Sequence, residues 1–221
     1  MKRIPLDIAL RAARRLCDAA DVDLVLPGDR RREAVLYALA AWHSLRGTGW
    51  DLATLRGRVC VAVPGLGAAL DLLPPVVGVV LREIAGDLRR PMVMLAPAAT
   101  TWGGVRLMGT VAHERGHIGS MRAGGPLWCL AYGLVPEVVA GAEAPCYGAD
   151  LAHAVLLGGE DVSNELDHHM RALGTYGLDA PATELAHGIL RSHAAGLRAG
   201  ADPGGTVADS LAALAAEGWT P

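Results

Sequence analysis

The stretch TVAHERGHIGSMRAGG, residues 110–125, decides how the chain is read. It sets His113 and His117 four positions apart with Glu114 between them, and closes on Gly124-Gly125. Val105, Met108, Val111 and Ala112 precede the histidines at spacings that bury one side of a helix. The stretch is therefore expected to be helical, capped by Thr100 or Thr101 and stopped at Gly124-Gly125. On a helix, residues four apart stand nearly above one another, so the two imidazoles face a single point. Zinc accepts such nitrogens at about 2.0–2.1 Å and, in catalytic sites, keeps one position for water. Glu114 lies about 100° round the helix from His113, where it can take a proton from that water without being a ligand. A random chain of this composition would carry such a match about once in a hundred sequences. That rarity favours a metal site over the plain alternative, a buried helix with hydrogen-bonded core histidines.

Two histidines and a water leave a tetrahedral site one ligand short. The downstream candidates are Glu137, Glu143, Asp150, His153 and the run Asp167-His168-His169. Glu143 is favoured because it follows His117 by 26 residues, room enough for the chain to return. Pro145, just behind it, also belongs in the first turn of a helix, which would fix the backbone that carries Glu143. On that helix Tyr147 and Asp150 share the Glu143 face at i+4 and i+7. Tyr147 would then be placed to donate to a developing oxyanion, and Asp150 to orient a ligand histidine from behind. The segment EDVSNELDHHMRAL (160–173) sets Asp161, Glu165 and His168 or His169 at helical spacing. It reads chiefly as a charged, solvated face, with a second metal or a substrate contact as the alternative. His43, His187 and His193 are isolated and receive no role.

Outward from the motif, the 221 residues suffice for one domain with its own core. A net charge of −3 with scattered basic residues excludes a nucleic-acid footprint. Cys17, Cys60, Cys129 and Cys146 form no CxxC pair and suit free thiols in a reducing, cytoplasmic setting. The N-terminal residues carry too many charges for a signal peptide. Residues 59–81 are the most apolar stretch, but Asp71, three prolines and three glycines speak against a membrane span. Two amphipathic stretches flank PGDR (27–30), with Asp29 as N-cap, so residues 1–46 read as a helical hairpin. RVCVAVPG (58–65) and RPMVMLAPAA (90–99) read as strands, the latter as a sheet edge near residues 91–97 that could serve as rim for an extended substrate. PPVVGVVLREIAGDLRR (74–90) is a helix or a buried apolar segment, and the C-terminal third is amphipathic helix.

AHERGH (112–117) followed by EAPCYGADL (143–151) resembles the two signature segments of the ImmA/IrrE family of zinc metallopeptidases. There, H-E-x-x-H is followed by a helix beginning E-A-x-x-[FY]-A-A-x-L. The chain is similar as well to the zinc peptidases predicted in phages and prophages. Gly148 stands where alanine is usual, Pro145 where a polar residue is usual, and LAHA (151–154) where the family has L-L-M-P. The resemblance implies His113, His117 and Glu143 as Zn2+ ligands and Glu114 as catalytic base. It implies a single α+β, mainly helical, gluzincin-like (zincin-like) domain over residues 1–221, with a small sheet beside the HExxH helix. The expected activity is hydrolysis of peptide bonds in a protein or peptide substrate by metal-activated water. The alternative is a zinc-binding structural or interaction module without turnover, of phage descent.

Overall fold

The computed structural model describes residues 3–45, 51–58, 61–63, 89–132 and 134–221. It is mainly helical, with one small mixed sheet, an α+β fold. Two compact units divide the chain: Met1–Leu16 with Gly103–Pro221, and Cys17–Trp102. Helix α1 (Leu6–Ala19) begins in the first and ends in the second.

The Cys17–Trp102 unit holds strands β1 (Asp23–Val25), β2 (Val61–Val63) and β3 (Met92–Met94), and helices α2 (Arg30–Leu45) and α3 (Leu52–Arg58). The strand order is β1-β3-β2. Leu24 pairs in parallel with Val93, and Ala62 in antiparallel fashion with the same residue. The stretch expected to form a sheet edge near 91–97 is therefore the centre of the sheet. Its residues Met92, Val93 and Met94 are all buried, so both faces of the strand are covered, and β3, paired along both sides, has no free edge to serve as a substrate rim. The helical pair expected over residues 1–46 is interrupted by β1, too short for a period-2 signal to stand out. Asp29 caps α2, its Oδ1 accepting from the Arg31 N–H at 2.9 Å. Buried Arg32 donates through Nε to the Leu95 carbonyl, tying α2 to the chain beyond β3. Most of residues 59–81, and nearly all of 74–90, lie outside the described residues. Among the described residues no helix is long and apolar enough to cross a membrane.

The other unit is built on α4 (Gly104–Tyr132) and α5 (Pro136–Leu156), followed by α6 (Val162–Leu173), α7 (Ala180–Arg198) and α8 (Thr206–Ala216). Neither Thr100 nor Thr101 caps α4. They lie in a 3-10 turn, Pro97–Thr101, where each hydroxyl donates to the carbonyl three residues back. The helix opens instead at Gly104, where a Cβ would stand 2.7 Å from Ile4. Gly125, at φ 62°, breaks α4 where the sequence placed its end, but a further helical piece follows to Tyr132. In α5 the proline of the first turn is Pro136. Pro145 sits in the helix interior, leaving the Gly141 carbonyl without its helical donor, so Glu143 is carried in mid-helix and not at a helix start.

Helices α4 and α5 run antiparallel, since Gly109 opposes Asp150 while Gly116 opposes Cys146. Ala140 and Ala144 of α5, Leu173 of α6, and Ala182, Ala186 and Leu190 of α7 form a core of small and branched side chains. Without phenylalanine, alanine faces let the helices come close, and each fully buried leucine contributes about 1.5–3 kcal/mol. Gly148 leaves room for the imidazole of His193, which a Cβ there would overlap. Asp161 and Asp179 cap α6 and α7 by accepting from the Ser163 and Asn164 amides and from the Ala182 amide.

Candidate metal centre

The elements of α4 and α5 bring His113, His117 and Glu143 to one point. His113 Nε2 stands 3.5 Å from Glu143 Oε2, and His117 Nε2 stands 3.5 Å from Glu143 Oε1. All three residues are buried, Glu143 at 1% exposure. These separations are longer than good hydrogen bonds. They fit the edge of a tetrahedron, because two ligands at about 2.1 Å from one ion stand about 3.4 Å apart. Tyr132 donates its hydroxyl to Glu143 Oε1, whereas Oε2 is buried without a hydrogen-bond partner. A buried carboxylate oxygen left unpaired is costly, and a cation between it and the imidazoles would satisfy it.

The cluster is set up electrostatically as well. Burial pushes the Glu143 carboxyl up, but His113 and His117 outweigh it and hold the group well below the ordinary carboxylate range. Burial lowers His113, and Asp150, Glu143 and Glu114 more than reverse it, leaving the imidazole well above its usual value. Asp150 Oδ2 accepts from His113 Nδ1 at 2.7 Å. A carboxylate can only accept, so it fixes a proton on Nδ1 and leaves Nε2 as the nitrogen that faces Glu143.

His113, His117 and Cys146 also form a buried group whose donor atoms lie within 4.8 Å of one another, a set that could hold a metal ion. The two donor sets differ in which side of His117 they use. Cys146 Sγ lies 3.7 Å from Nδ1 of His117, while Glu143 faces Nε2. The two ring nitrogens point away from each other, so one ion bound through Nε2 takes Glu143 in preference to Cys146. Burial, with Glu143, Glu114 and Asp150 nearby, pushes the Cys146 thiol well above its ordinary value, which also disfavours the thiolate that a metal needs.

Glu114 is buried next to His113 at 7% exposure. Tyr147 stands edge-on to the His113 ring at 4.8 Å between centroids, with its hydroxyl 3.4 Å from that of Tyr176. Burial raises Tyr147 above its usual value, so it remains a donor at neutral pH. Of the other candidates, His153 is spent on the Ala149 carbonyl and the Ser210 hydroxyl, a structural role. Glu137 lies in the first turn of α5, six residues before Glu143 and so about 240° round the helix from it. In the 160–173 segment Asp161 is a cap and His168 is exposed, but His169 departs from the solvated face expected there. It is buried against Tyr147, and burial lowers its pKa to about 4. Tyr132 and the placement of Cys146 escaped the sequence reading. Tyr132 follows a helix break whose direction no periodicity encodes, while Cys146 was visible only as one residue on the Glu143 turn.

Compared with protein-family models, with curated proteins and with solved structures, the chain gives no significant match.

Proposed function

We propose that the protein is a zinc-dependent peptidase with His113, His117 and Glu143 as ligands. The observation that carries the reading is the convergence of both Nε2 atoms on one buried carboxylate, whose Oε2 has no hydrogen-bond partner. When bound, zinc supplies Lewis acidity that yields a nucleophilic water at neutral pH and polarises a carbonyl. Asp150 keeps the His113 proton on Nδ1, and Tyr132 holds Glu143 in its rotamer. Glu114 takes the proton of the attacking water and returns it to the leaving amine. Tyr147, still protonated, donates toward the oxyanion that develops on the scissile carbonyl. The substrate is a protein or peptide, and the compartment a reducing, cytoplasmic one. The experiment is elemental analysis with peptidase assay on wild type, His117→Ala and Glu114→Gln. One zinc in wild type and in Glu114→Gln, none in His117→Ala, and turnover in wild type alone is the expected pattern. Full peptidase activity in either variant counts decisively against it.

A second reading has its own support. His113, Glu114, His117 and Glu143 are all buried, and closure of that kind characterises structural zinc. A zinc-binding interaction module would retain one zinc and show no turnover on any peptide library.

A further inference from the structure

The two imidazoles are held from behind by unlike groups. His113 has a carboxylate, Asp150, at 2.7 Å. His117 has a thiol, Cys146, whose Sγ lies 3.7 Å from Nδ1, within reach of a sulfur hydrogen bond. The thiol's place is prepared on α4: at Gly116 a Cβ would stand 2.7 Å from Cys146 Sγ, so only glycine leaves the slot that the sulfur fills. The distance and the slot are separate features, one of side chains and one of backbone, and both seat Sγ behind His117.

We propose that Cys146 is the positioning residue of His117, holding the ring so that Nε2 faces Glu143, without itself ligating the metal. This rests on the metal-site reading above. A thiol has one weak donor and one weak acceptor. Its S–H can donate to a bare Nδ1 of His117, and its sulfur can accept from a protonated one. On metal binding the imidazole proton resides on Nδ1, and the same sulfur accepts from it. Asp150 can only accept from His113, whereas Cys146 can either donate to His117 or accept from it.

The test measures zinc affinity by chelator competition for wild type, Cys146→Ala, Cys146→Ser and His117→Ala, with the cobalt(II)-substituted absorption spectrum of each. Outer-shell partners of ligand histidines typically tune affinity by about 10–100-fold. Cys146→Ala is expected to weaken zinc binding by about tenfold or more, and Cys146→Ser, which keeps a donor and an acceptor, to recover part of it. Wild type and Cys146→Ala should share a cobalt spectrum without a thiolate-to-cobalt charge-transfer band. Should Cys146→Ala fail to fold, Cys146→Val, apolar and close in volume, takes its place. Zinc affinity within twofold of wild type in the folded apolar variant, while His117→Ala binds none, overturns the proposal and leaves the metal site standing. A charge-transfer band lost with Cys146 overturns it by making the thiol a ligand. Wild-type zinc affinity in His117→Ala overturns the underlying site itself.

Discussion

Replacing Asp150 by asparagine is the sharpest single probe of the site, since it removes one charge and almost no volume. The wild-type contact is 2.7 Å from Asp150 Oδ2 to His113 Nδ1, between side chains 20% and 10% exposed. Hydrogen bonds to charged groups contribute about 1.5–3 kcal/mol, and the fifth of Asp150 that meets solvent argues for the lower part of that range, about 1.5–2 kcal/mol. At about 1.4 kcal/mol per decade this is a loss of about 10–30-fold in affinity for any metal bound through His113 Nε2. The amide adds a second effect of the same sign. Its N–H can donate to Nδ1, which turns the imidazole proton onto Nε2 and toward Glu143, where it must be displaced before a cation can bind. The assay is competition for zinc against a chromogenic chelator at pH 7, with circular dichroism to verify that the helices remain. Affinity within twofold of wild type in a folded Asp150→Asn protein would refute the argument, because His113 would then need no orienting acceptor.

Three further expectations concern the metal-free protein and the helix packing. Glu143 is depressed in the folded state, so its contribution to stability is present above its ordinary value of 4.5 and is lost as pH falls from there through the folded value. His113 is raised, so its contribution is fully present below 6.5 and is lost as pH rises through the folded value. Thermal melts of chelator-treated protein should thus peak between those two ordinary values and fall on both sides, and a profile that climbs steadily from pH 5 to 9 would contradict the pairing. Gly116→Ala should cost stability, because overpacking of about 1–3 kcal/mol exceeds the roughly 1 kcal/mol of helix propensity gained. Adding Cys146→Ala should restore stability by vacating the slot, and urea melts of the single and double variants decide this. Leu190→Ala, in the fully buried cluster of α5, α6 and α7, should cost about 2–5 kcal/mol in the same melts while zinc content stays unchanged, since Leu190 lies outside the ligand set.

The motif helix was legible because its signal is local: two histidines one turn apart and an apolar stripe need no tertiary knowledge. Glu143, Tyr147 and Asp150 were legible for the same reason, sharing one face of one helix. The start of that helix was not, because the rule that proline opens a helix fits Pro136 as well as Pro145, and only packing shows which one does so. Strand β3 was recognisable from MVM, yet its central place depends on β1, three residues long, whose pairing is set by contacts far away in sequence. His169 was missed as a buried group because burial there comes from Tyr147 on another helix, while residues 160–173 around it read as a charged face.

What converts a motif into a site is the distance between two helix backbones, and that distance is set by residues with no chemistry of their own. Gly109 and Gly116 are seven apart, two turns of α4, and both face α5. A Cβ at Gly109 would stand 3.1 Å from Asp150 Oδ1 and 3.3 Å from His153 Cβ, and one at Gly116 would meet Cys146. Larger side chains at these two points would hold α5 off by a methyl layer. The Glu143 carboxylate, which just reaches 3.5 Å from each Nε2, would then fall outside the span that two ligands of one ion can bridge. The histidines specify which atoms a cation would meet, the glycines let a carboxylate from the neighbouring helix reach them there, and the spacing of both is written on the same face of α4.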